Sequence, residues 1–355
     1  MTPDTPHLTP RTFGFAELNG GGSRVAIVPE LGGKISAMEL GGRQWLWTSD
    51  VIPHADPVYG ASYVETADSG GYDECFPTVG ADTVPVTVTK YGGTALPDHG
   101  ELWATRPTIE VETLDGAQRA TCVWRGTRLP YRFTRVVHVD AGGAVTMRYE
   151  VKNEGQARLP FIWSSHPLLP MTPATRIVLP EGTRVRVYAQ HGIDIGGARA
   201  EHRWPRLTVE RKKLADFSQP DAVARHYACK LFLDFPPTSG RVRAAIEEGE
   251  ARLEVEFDVA QVPNFGLWLN RRGWTPFRKQ GIFGRTPRPY LNFAFEPCIG
   301  APDTLTEALG PVWSAAHWLE AGETKQWELV WRGAKAEGAA PRSERAGAGL
   351  PERFG

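Results

Sequence analysis

Short runs of strand-forming residues, each closed by turn residues, recur along almost the whole chain. Ser23–Val28, Lys34–Leu40, Gln44–Trp47 and Val84–Thr89 come first. Thr108–Thr113, Arg119–Arg125, Tyr131–Val139 and Ala144–Asn153 follow, with turns at Leu114–Ala117 and Asp140–Gly143. Arg176–Leu179, Arg184–Tyr188, Leu231–Phe235, Arg241–Glu247, Ala251–Val259, Phe265–Asn270, Tyr290–Phe295 and Gln326–Arg332 complete the series. A repeat of about 8–14 residues between strands is the pattern of an all-β chain. Roughly fifteen strands without long helices predict one large two-sheet antiparallel β-sandwich. Gly and Pro support this, at 38 and 29 of 355 residues. Their share is about half again the average, which favours many turns. Helical signals are confined to Asp221–Tyr227 and Thr304–Leu309, the second with Asp303 placed to cap it and Glu307 further along.

No internal repeat and no linker divides the middle, so residues 12–332 are expected to form a single domain. Residues 333–355 are rich in Gly, Ala, Arg and Glu without an apolar period, and are expected to form a disordered tail. The formal net charge of −1 excludes a generally basic nucleic-acid binder. There is no apolar run of about 18 residues to span a membrane. The first residues lack the basic start and apolar stretch of a secretory signal, so a cytoplasmic location is expected. Cys75, Cys122, Cys229 and Cys298 form no C-x-x-C pair and read as free, mostly buried thiols.

Four segments set polar residues among Gly, Pro and aromatics: residues 70–77, 96–103, 161–167 and 292–298. Glu296 follows the apolar run Tyr290–Phe295 and precedes Pro297, which is expected to end the strand. Desolvation there raises a carboxyl pKa and suits a general base, although the residues alone leave a structural carboxylate equally open. His166 follows Ile162-Trp163-Ser164-Ser165, and His99 sits in a Pro-Asp-His-Gly turn. Histidine transfers protons near neutrality, and a lone histidine is most often structural. Ser164-Ser165-His166 is no catalytic triad, because neighbours on a strand point to opposite faces. A metal held by His99, His166 and Glu296 is chemically possible, but nothing in the spacing demands one.

These segments, with Pro29-Glu30-Leu31-Gly32-Gly33-Lys34-Ile35, the Asp-His-Gly turn, the Trp-Ser-Ser-His-Pro segment and the late Phe-Glu-Pro, resemble in order and spacing the aldose 1-epimerase (galactose mutarotase-like) superfamily, over about residues 12–332. The resemblance implies a β-supersandwich. It also implies a general base at Glu296, a general acid at His166 and a sugar-holding histidine at His99. Where galactose-active members carry an arginine upstream of the first histidine, this chain has Tyr72-Asp73-Glu74. The implied activity is interconversion of the α and β anomers of an aldose by ring opening and reclosure, with no cofactor and no metal.

Around that centre, Asp73, Glu74, Lys34 and Asn270 are candidates for binding sugar hydroxyls, and Trp163, Trp268 or Trp103 for stacking on a sugar face. Core packing is the competing role for each aromatic. Arg271, Arg272 and Arg285 are candidates for a phosphate, against solvated loop charges. The expected partner is a small carbohydrate, with a homodimer through exposed edge strands a further possibility. Three other readings stand beside this one. They are a carbohydrate-binding protein without turnover, a hydrolase or lyase pairing Glu296 with Asp73 or Glu74, and a structural protein whose histidines merely pack. The last predicts that His99, His166 and Glu296 are scattered.

Overall fold

A computed structural model describes residues 13–87, 89–114, 117–236, 240–275 and 290–336. Among these, a thirteen-stranded sheet packs against an eight-stranded sheet. The strand pairings are antiparallel throughout both sheets. Helices are single short turns.

Strand parity explains the layering. Tyr131–Val139 alternates buried and half-buried positions along its whole length, one face on the core and one toward water. The apolar core between the sheets includes Phe133, Val137, Tyr149, Trp163, Trp327 and Trp331, all essentially inaccessible. Trp163 anchors the join, its ring 4.9 Å from both Tyr149 and Trp327 of the opposite sheet. The same parity puts Arg135 on the inner face, where its guanidinium meets Glu74 at 3.1 Å.

Six strands at the centre of the large sheet position the site. In chain order they are β1 (Lys34–Leu40), β2 (Tyr72–Cys75), β3 (Trp163–Pro170), β4 (Tyr227–Asp234), β5 (Asn264–Arg271) and β6 (Leu291–Ile299). In space they run β1-β2-β3-β6-β5-β4.

Several expectations are corrected. Glu296 is not at a strand end, because β6 continues through Pro297 to Ile299. A proline is tolerated there because the ladder between β3 and β6 is interrupted between the pairs Ser164–Cys298 and Leu168–Ala294. The facing stretch of β3 also holds a proline, Pro167. The described residues of the expected strand Val84–Thr89 form none. Pro85 interrupts it, and Val84 instead exchanges backbone hydrogen bonds with Gly93 and Thr94 across a turn, leaving Val86 exposed. The strand expected at Gln44–Trp47 is Arg43–Gln44. The helix expected at 221–227 is one turn, Pro220–Val223. The helix Leu305–Leu309 is capped by Thr304, whose hydroxyl accepts from the Glu307 N–H, and not by Asp303. The last strand, Thr324–Lys335, runs three residues into the expected tail. Residues 337–355 lie outside the described residues. The hairpin strands Glu201–Arg203, Arg206–Val209 and Lys213–Asp216 were not foreseen, because they are short and mix charged with apolar residues. All four cysteines are free and buried.

Candidate active site

Register brings the site together. In the β3–β6 pair, Ser164 faces Cys298 and Leu168 faces Ala294, four residues apart on each strand. His166 therefore lies directly across from Glu296. On its other side His166 pairs with Asp73 of β2, while Gly266 of β5 pairs with Glu296. One row thus crosses four strands as Asp73, His166, Glu296 and Gly266. Side chains directly opposite one another share a face with Cβ atoms about 5 Å apart. The outcome is a 3.3 Å separation between His166 Nδ1 and Glu296 Oε1. Backbone bonding gives way here, and Ser165 Oγ bridges the gap by donating to the Pro297 carbonyl at 3.1 Å.

His99 arrives from a separate loop. Its backbone is left-handed, with φ 58°, a conformation in which histidine is one of the commoner residues after glycine. The ring stacks on Tyr63 with centroids 4.1 Å apart and meets the His166 ring edge-on at 5.3 Å. Asp98 Oδ1 lies 2.8 Å from His99 Nδ1, and Asp98 Oδ2 accepts the Tyr63 N–H at 3.0 Å. Burial pulls the His99 pKa down, but Asp98 first, then Asp68 and Asp303, together outweigh it and the net shift is upward.

Glu296, His166 and His99 line one cleft of about 270 Å³, together with Tyr63, Asp68, Tyr188, Lys230, Trp268, Trp274, Asn292 and Asp303. The reading that scatters the histidines is therefore set aside. Four buried polar atoms on this cleft have no hydrogen-bond partner: Asp68 Oδ1, His166 Nδ1, Asn292 Oδ1 and Glu296 Oε1. The residues that carry them are 7%, 8%, 1% and 1% exposed. Leaving a buried polar atom unpaired costs about 1–3 kcal/mol, so these four atoms are open to partners within the cleft. Trp268 and Trp274 add half-buried apolar wall, their rings nearly perpendicular at 5.8 Å.

The electrostatics correct one expectation. Burial does push the Glu296 carboxyl up, but the Lys230 ammonium and the His166 ring pull it down further, to about 2. Lys230 is in direct contact with Glu296 Oε2, and its Nζ is 3.5 Å from Asp303 Oδ1. Burial raises the carboxyls of Asp68 and Asp303.

The other sequence candidates separate by parity and depth. Asp73 shares the face of His166 but lies beneath Tyr63, whose hydroxyl donates to its Oδ2 at 2.6 Å, and it is ion-paired to buried Lys34. Lys34 and Asp73 therefore support Tyr63 rather than line the cleft. Glu74 points to the opposite face, into the core. There it accepts from Arg135, from the Tyr149 hydroxyl at 3.1 Å and from Trp163 Nε1 at 2.9 Å. Trp163 is core for the same reason. Asn270 is fully buried and holds the turn that carries Trp274, accepting its N–H and donating to its carbonyl. Trp103 is buried, its ring edge-on to Tyr63 at 5.4 Å. Of the proposed binding residues, Trp268 alone lines the cleft. Arg271 is engaged by Asp221 and the Arg225 carbonyl, Arg272 occupies a left-handed turn, and Arg285 lies outside the described residues.

Lys230, Asp303, Tyr63, Asp68 and Asn292 were missed. Lys230 left a signal, as the single charge inside the otherwise apolar run Tyr227–Leu233. A lysine there is tolerated only if paired or used. Among the described residues no group of three His, Cys, Asp or Glu side chains is arranged to hold a metal ion, and no helix is long and apolar enough to cross a membrane.

No protein-family model matches the sequence. Nor does any curated protein match it. Solved structures do. A galactose mutarotase-like protein from Clostridium acetobutylicum superposes with a TM-score of 0.59 at 13% identity, over 91% of this chain and 99% of that one. A galactose mutarotase related enzyme from Lactobacillus acidophilus gives 0.57 at 14% identity, over 90% and 97%. A protein from Klebsiella pneumoniae, provisionally named an aldose 1-epimerase, gives 0.61 at 14% identity, over 91% and 84%. The strand order derived above and these superpositions agree: the chain has the galactose mutarotase-like β-sandwich fold.

Proposed function

We propose that the cleft binds an aldopyranose and interconverts its anomers by opening and reclosing the ring. The observation that carries this reading is the facing pair His166 and Glu296, with Nδ1 and Oε1 3.3 Å apart on a cleft of unpartnered polar atoms. The ring oxygen and the anomeric hydroxyl of a pyranose share one carbon. An acid and a base acting on them must therefore be neighbours, which suits cross-strand partners. Glu296 takes the proton of the anomeric hydroxyl while His166 delivers one to the ring oxygen. The bond between the anomeric carbon and the ring oxygen breaks, leaving an open-chain aldehyde and a hydroxyl. The aldehyde rotates, and reclosure on its other face returns both protons. The two groups begin in opposite protonation states and end as they began. His99, held by Asp98 and Tyr63, and Trp268 support the sugar's position. The cycle uses no redox step.

Polarimetry or exchange NMR on a panel of aldoses, including a hexose and its 6-phosphate, tests the reading. Glu296→Gln and His166→Asn are each expected to slow interconversion by about 10²–10⁴-fold with the fold intact by circular dichroism. Full-rate interconversion by either variant removes that residue from the mechanism.

One observation favours a second reading, a carbohydrate-binding protein without turnover. A carboxylate held at about 2 is a weak base. Calorimetric binding of an aldose whose anomers exchange no faster than in buffer would select it.

A further inference from the structure

The Glu296 carboxylate is gripped from one side only. Oε2 receives Lys230 Nζ and accepts from Ser164 Oγ at 3.2 Å. Oε1 has no hydrogen bond and faces His166. This asymmetry is built into the sheet. Lys230 pairs across β4–β5 with Trp268, and Gly266, two residues along β5, stands opposite Glu296. A Cβ on Gly266 would lie 2.7 Å from Glu296 Oε2 and 3.2 Å from Lys230 Nζ, so the missing side chain is what lets the ammonium cross the strand. Asp303 supplies a second anchor for Lys230 because Thr304 has taken over the helix cap. The charged and titratable groups around Glu296 are Lys230 from β4, His166 from β3, Asp303 from the loop after β6, and the buried thiols Cys75 and Cys298. His99 and Asp68 face the same cleft. Lys230 is the single lysine or arginine among the described residues lining it.

From this geometry we infer that Lys230 is a positioning residue for Glu296. It occupies Oε2, keeps the carboxylate ionised and leaves Oε1 as the one atom offered to a bound ligand, with Asp303 fixing the far side of the ammonium. The inference rests on the proposed function for its kinetic consequence, but its structural content stands apart from turnover.

The experiment titrates Glu296 directly in the full chain, by carboxyl ¹³C NMR with Glu296→Gln assigning the signal. The wild-type carboxylate is expected to stay ionised well below the usual glutamate range. Lys230→Met is expected to raise its midpoint by about 1–3 pH units. Lys230→Gln, which retains a donor for Oε2 but no charge, is expected to do the same, and Lys230→Arg to leave it near the wild-type value. If either neutral variant folds and its midpoint does not move, the inference is overturned. Should neither fold, the wild-type chain decides through scalar coupling across the hydrogen bond from the Lys230 ammonium to the Glu296 carboxyl carbon. That coupling is expected, and its absence overturns the inference. If the chain is a mutarotase, the acid limb of kcat/KM follows the same midpoints. A shifted titration in a chain that never interconverts anomers retains the Lys230 assignment and rejects the proposed function.

Discussion

Gly266 shows how much rests on single positions. Its backbone is ordinary strand, so conformational freedom is not what keeps it a glycine. The space is already taken by an ion pair. Gly266→Ala is expected to destabilise the fold by about 1–3 kcal/mol through overpacking, and to move Lys230 or Glu296. Denaturant midpoints and polarimetry on that one variant check both effects. Glu74 makes the contrasting case. Sequence set it beside Asp73 as a sugar ligand, yet the period of two sends it into the core. There it neutralises Arg135 and accepts from Tyr149 and Trp163. Glu74→Ala leaves a buried guanidinium unpaired and is expected to cost about 3–5 kcal/mol. Its effect belongs in the melting curve. A Glu74→Ala chain that melts like wild type but fails to bind sugar would return Glu74 to the site.

At the scale of elements, the loop carrying His99 gives a pH prediction. The folded His99 pKa lies above its ordinary value of about 6.5, because Asp98, with smaller contributions from Asp68 and Asp303, outweighs burial. A raised histidine pKa contributes stability that is fully present below the unfolded value and is lost as pH rises through the folded value. The melting temperature of wild type is therefore expected to exceed that of Asp98→Asn more at pH 5.5 than at pH 9, and a pH-independent gap would refute the linkage. The same loop marks what was legible in the sequence. Tyr131–Val139 was readable to the residue because its alternation is a one-body signal, visible on the strand itself. His99, His166 and Glu296 could be singled out as candidates because each breaks an apolar or turn pattern. Lys230 broke its apolar run in the same way but its partner stayed hidden, and Asp303 and Asn292 gave no such signal, since their meaning comes from neighbours in space. Lys230 needs Gly266 on the next strand. Asp303 was assigned to a cap that Thr304 performs. The expected rise in the Glu296 pKa failed for the same reason, because burial is visible in sequence and a lysine from another strand is not.

Across the whole molecule, the central strands β3, β4, β5 and β6 supply His166, Lys230, Trp268, Asn292 and Glu296 to the site, with His99, Asp68 and Asp303 on loops against them. Those strands are also the middle of the larger sheet, and their other face contributes Trp163, Leu267 and Phe295 to the common core. A ligand there touches elements that separate only when the sandwich itself comes apart. Binding energy is therefore expected to appear as global stability rather than as quieting of one loop. At a sugar concentration about 100 times Kd the stabilisation is about 2.7 kcal/mol. For a chain of this length that corresponds to a rise in Tm on the order of 5 °C. Amide exchange should slow across β3, β4, β5 and β6 together, since their protection is set by the same opening event. Scanning calorimetry with and without the aldose selected by polarimetry measures the first quantity, and hydrogen exchange the second. Protection confined to the loops bearing His99 and Asp303, with Tm unchanged at saturating sugar, would mean that the ligand sits outside the row of Asp73, His166, Glu296 and Gly266.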